Sequence, residues 1–171
     1  LAKVIVEGYA LCVVHGNGPQ VGNLLIQQEE GAKSVPSQPL NICGAMSQGQ
    51  IGFMIQQALL NELTAVNQYW LHYRMLDNWG VKKLAEFERH ESIDEMKHAD
   101  RLIDRVLFLE GVPNLQDLGR LLIGEHPREM LECDLRLEMD ALPVLREGIA
   151  HCERVQDFIS RDLFDSILGS E

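Results

Sequence analysis

Glu95 and His98 stand three residues apart in the run ESIDEMKH, residues 91–98, inside a strongly helical stretch. On a helix that spacing stacks carboxylate and imidazole on one face, offering an oxygen and a nitrogen to one metal ion. A solvated surface pair is the plain alternative for any single motif of this kind. Turned inward, such a glutamate demands a metal or another partner, because a buried carboxylate without one is costly. Further helices must then supply further ligands.

The rest of the chain provides them. YALCVV, residues 9–14, is a short apolar, β-branched run that enters the glycine loop HGNGP, residues 15–19, and reads as a buried strand before helical character over residues 21–30. KSVPSQP, residues 33–39, is a loop. Helical spacing returns over residues 44–60, with Ser47-Gln48-Gly49-Gln50 as its opening and Ile51, Met54, Ile55, Ala58 and Leu59 on its apolar side. Nothing breaks this helix before Asn78. Trp79-Gly80 predicts a glycine cap, and a second helix follows over residues 81–110. Residues 115–126 form a long connection without periodicity. Pro127 opens a third helix, where its missing N–H costs nothing, and Pro143 is expected to kink it. A fourth helix starts near residues 155–156.

The formal charge of -11, from 15 basic and 26 acidic residues, argues against a nucleic-acid or anionic-membrane partner and suits a protein that attracts cations. Cys12, Cys43, Cys133 and Cys152 are scattered and form no Cys-x-x-Cys pair. They read as reduced thiols, and with no apolar run of membrane-spanning length the expected location is the cytoplasm.

Over residues 62–171 the chain resembles bacterioferritin, through NELTAVNQYWLHYRMLDNWG, HESIDEMKHADRLIDRVLFLEGVPNLQDLG, LRLEMDALPVLREGI and DFISRDLFDSIL in family order. Residues 1–60 resemble carbamate kinase, an α/β enzyme, through VVHGNGPQVGNLL and GAMSQGQIGFMIQQAL. The join lies near Asn61-Glu62-Leu63. The expected fold is therefore mainly α: an incomplete ferritin-like four-helix bundle over residues 61–171, its last helix cut short, behind a βα fragment of a kinase fold over residues 1–60.

The first resemblance implies oxidation of Fe(II) by dioxygen at a di-iron carboxylate site, with storage of the ferric product in a homo-oligomer that in the family is a cage of twenty-four subunits. It assigns Glu62 and His98 to one metal, Glu95 as a bridge, Glu138 to the second metal and Glu171 as the second bridge. The histidine that would follow Glu171 three residues later is missing, so weakened ferroxidase activity is expected. Tyr69, two turns after Glu62, either touches the metal pair or packs in the core with its hydroxyl satisfied. Met96 aligns with the axial ligand of haem b at a twofold interface, where a haem-bridged dimer forms; simple packing is the alternative. His90 and Asp94 are either an iron-transit pair or exposed surface groups.

The second resemblance assigns Gly16, Asn17 and Gly18 to phosphoryl-substrate contact. A tight turn explains the same residues. The family's nucleotide-binding lysines and aspartates have no counterpart here, and phosphoryl transfer needs several such elements at once. Kinase activity is the runner-up, followed by a chimeric product with neither activity.

Overall fold

A computed structural model describes residues 18–170, and within them every regular element is a helix, without a strand. The helices are α1 (Gly18–Gly31), α2 (Leu40–Asn78), α3 (Lys82–Phe108), α4 (Pro127–Val155) and α5 (Phe158–Leu168). The strand expected over residues 9–14, with Gly16 and Asn17, lies outside the described residues, and Gly18 is the first residue of α1.

The long helix is α2, at 39 residues about 58 Å from end to end. It begins at Leu40 after Pro39, seven residues ahead of the opening expected at Ser47. Ser47 sits two turns inside, its hydroxyl donating to the Gly44 carbonyl at 2.8 Å. This is the back-bonding that lets a serine sit within a helix rather than cap it. At the far end the glycine cap is present: Gly80 takes φ 81°, Gly80 N–H donates to the Asp77 carbonyl at 3.2 Å, and Val81 N–H to that of Leu76 at 2.9 Å. Both bonds belong to the Schellman pattern, which turns the chain sharply so that α3 runs back along α2.

His126 caps α4, its ring nitrogen accepting from Glu129 N–H, with Pro127 in the first turn. The helix continues uninterrupted through Pro143 to Val155. Gln156, in the left-handed region at φ 62°, ends it, and α5 begins at Phe158, slightly later than expected. Asp157 explains the delay. Its carboxylate accepts from Ser160 N–H at 3.1 Å, and Arg105 of α3 donates to both that carboxylate and Ser160 Oγ. The start of α5 is thus pinned to α3.

Two apolar clusters hold the bundle. The larger joins Ile51, Ile55 and Leu59 of α2, Leu102 and Val106 of α3, Leu145 and Cys152 of α4, and Phe164 and Ile167 of α5. The smaller, Leu76, Ala85 and Met130, lies at the other end. Between them the interior is polar: Glu62, Thr64, Gln68, Tyr69 and His72 of α2, Glu88, Ser92 and Glu95 of α3, and Asp134 of α4 are all buried.

Part of that polarity holds the connection over residues 109–126 in place. Gln56 exchanges two hydrogen bonds with the backbone of Asn114, Thr64 Oγ1 accepts from Gly119 N–H, Gln68 Oε1 from Leu122 N–H, and His72 Nε2 from Gly124 N–H. Thr64, Gln68 and His72 recur every four residues, so one stripe of α2 satisfies a strand of backbone that lacks partners of its own. At Gly124 a Cβ would stand 2.4 Å from Met130 N, which is why glycine occupies the point where the connection meets α4. No helix among the described residues is long and apolar enough to cross a membrane.

Candidate metal centre

Glu62 reaches the interior from the middle of α2, Glu95 and His98 from one face of α3, and Glu138 from α4. Donor atoms of Glu62, Glu95 and His98 lie within 4.8 Å of one another. His98 Nδ1 is 3.2 Å from Glu95 Oε2 and 3.3 Å from Glu62 Oε2. Glu138 lines the same small cavity as Glu62 and Glu95, walled by Ala65 and Ala141, whose short side chains leave the space. Tyr69 donates its phenolic hydrogen to Glu138 Oε1, so its hydroxyl is bound at the centre.

The electrostatics follow from crowding carboxylates where water is scarce. Burial raises the Glu95 pKa, against the pull of His98. The two carboxylates that His98 faces, Glu62 first, raise its own pKa and favour the imidazolium. Burial and then the Glu138 charge raise that of Tyr69, keeping it a phenol. Glu62 Oε2 is buried and makes no hydrogen bond, meeting His98 only at ion-pairing distance. An orphaned carboxylate oxygen beside two further oxygen ligands and an imidazole nitrogen is a donor set that fits iron: hard oxygen for Fe(III), borderline nitrogen for Fe(II).

Glu171 lies outside the described residues; its neighbour Ser170 places Oγ 3.1 Å from His98 Nε2. Met96 is half exposed, about 100° around α3 from Glu95, in a groove it shares with Leu63, Ile93, Lys97, Ala99, Asp100 and Ile103. A thioether open to solvent among apolar neighbours fits the face of a flat apolar ligand. His90 and Asp94 are both exposed; His90 stands 3.6 Å from Glu86, and Asp94 pairs with Lys97 at 2.6 Å.

A second buried group was not anticipated. His72, Glu88 and Asp134 bring donor atoms within 4.8 Å of one another. Each stands outside any short motif in the sequence. The signal was periodic: Glu88 precedes Glu95 by two turns, and Asp134 precedes Glu138 by one.

Residues 54–171 match the family model described as a ferritin-like domain. Relatives include a bacterioferritin of Rhodobacter capsulatus, 52% identical over 68% of this chain and 73% of its own length, and one of Brucella melitensis, 50% identical over the same shares. A bacterioferritin of Mycobacterium bovis is 47% identical over 69% of this chain and 74% of its own. The chain belongs to the ferritin-like family, with bacterioferritins as its relatives.

Proposed function

We propose that this chain serves iron storage and detoxification of the bacterioferritin type, with Fe(II) as substrate and dioxygen as oxidant. The observation that carries the reading is the meeting of Glu62, Glu95 and His98, with Glu138 on the same cavity. Glu62 and His98 would hold one iron, Glu95 would bridge, and Glu138 would bind the second, with Glu171 as a further bridge. Tyr69, bonded to Glu138, would orient that carboxylate and supply an electron or a proton. The acidic balance of the chain favours gathering cations.

Haem b, held by Met96 between two copies of the chain, suits the open apolar groove around that thioether. It would supply an electron-transfer path; the protein's part is to present the sulfur and exclude water from the groove. A homo-oligomer in the cytoplasm, built from such dimers, completes the reading. We assign residues 61–171 to the bacterioferritin-like part and residues 1–60 to the fragment that resembles carbamate kinase, whose last helical residues, Ile51, Ile55 and Leu59, pack into the bundle core. For that fragment Gly18 contributes the start of α1, and phosphoryl transfer through Gly16, Asn17 and Gly18 remains the lesser reading.

Aerobic addition of Fe(II) tests the proposal. The chain is expected to accelerate formation of the ferric absorbance over buffer, and Glu95→Ala to remove that acceleration. Equal traces for the two proteins would refute it.

A further inference from the structure

We propose that Glu88 and Asp134, oriented by His72 and Gln68, form a second divalent-cation site inside the bundle, apart from the Glu62, Glu95, His98 and Glu138 centre. Glu88 is 1% exposed and Asp134 6%, and among the described residues neither carboxylate has a lysine or arginine beside it within ion-pairing distance. Glu88 Oε2 is buried and makes no hydrogen bond. Two inward carboxylates that face each other without a cation are an expensive arrangement.

The imidazole does not resolve it. His72 Nε2 accepts from Gly124 N–H at 3.2 Å, so the ring hydrogen is on Nδ1, which donates to Asp134 at 2.9 Å from Oδ1 and 3.1 Å from Oδ2. Gln68 Nε2–H adds a bond of 2.8 Å to Oδ1. His72 is therefore a neutral positioning residue that fixes the Asp134 carboxylate, the arrangement by which ligating carboxylates are held from behind. Asp134 keeps lone-pair capacity, most of it on Oδ2.

Among the described residues no hydrogen-bond donor reaches Glu88 Oε2. An ion can be shared by oxygens no more than about twice a metal–oxygen bond apart, roughly 4–5 Å for hard divalent ions, and the donor atoms here fall within 4.8 Å of one another. Carboxylate oxygen alone selects the oxygen-seeking class, Mn(II) or Fe(II), over thiolate-seeking ions. The site lies about 10 Å of helix from the first centre, since Glu88 is two turns before Glu95.

Crystals of the full chain soaked in Mn(II) and measured at the manganese absorption edge test the assignment. An anomalous peak between Glu88 and Asp134 is expected, in addition to density at Glu62, Glu95 and His98, and Glu88→Gln should lose the first peak while keeping the second. Density at Glu62, Glu95 and His98 alone would overturn this site and leave the proposed iron chemistry standing. A peak at Asp134 that survives Glu88→Gln would overturn it as well, as would a wild-type map with density at neither place.

Discussion

Glu88→Gln should remove part of the pH dependence of the chain's stability. Burial first, then the Asp134 charge and that of Glu91, push the Glu88 carboxyl from 4.5 up to about 8. In the metal-free protein the native state therefore keeps a proton that the unfolded chain has lost throughout that window. Stability is full below the lower value and falls as pH rises through the higher one. Each pH unit of the window costs the fold about 1.4 kcal/mol, which caps the loss at roughly 5 kcal/mol. Local rearrangement and water entry around the ionised group reduce this to about half. Glutamine keeps the shape and never ionises. Urea unfolding of both proteins in chelator, at about pH 5 and about pH 9, should give nearly equal stabilities at the lower pH and an advantage of ~2 kcal/mol for the variant at the higher. The other acids titrate in both proteins and cancel in the difference. A gap that stays constant across the two pH values would refute the placement of Glu88 as a buried, unpaired acid.

Two further substitutions probe how the short last helix is held. Arg105→Ala removes the donor to Asp157, which is 4% exposed, and leaves that carboxylate without its cation; a loss of about 3–5 kcal/mol in chemical denaturation is expected, and Asp157→Asn in the same background should recover part of it. Gly148→Ala places a Cβ 3.0 Å from the buried Phe164 ring and should cost about 1–3 kcal/mol by the same measurement, net of the gain of alanine over glycine in a helix; a net stabilisation would mean that α5 yields to the added methyl.

The helical bundle could be read from the chain because its signals are local. Gly80 ends α2 through its own backbone, Pro127 starts α4 through a missing donor, and the apolar spacing of Ile51, Ile55, Ala58 and Leu59 belongs to one helix face. The spacing of Glu95 and His98 is local too, which is why one half of the centre was visible before any fold was known. What escaped depends on partners distant in sequence. Thr64, Gln68 and His72 look like a polar, outward stripe until residues 119–124 are laid against them, and Ser47 looks like a helix start until Pro39 is seen to hold that position. The same residues explain why the bundle tolerates a polar middle. Their side chains meet backbone on one side and, through Gln68 and His72, Asp134 on the other. The polar layer is therefore tied to the connection between α3 and α4 as much as to the helices. Its one unbonded oxygen on each side, Glu62 Oε2 toward one group and Glu88 Oε2 toward the other, is where the hydrogen bonds among the described residues run out.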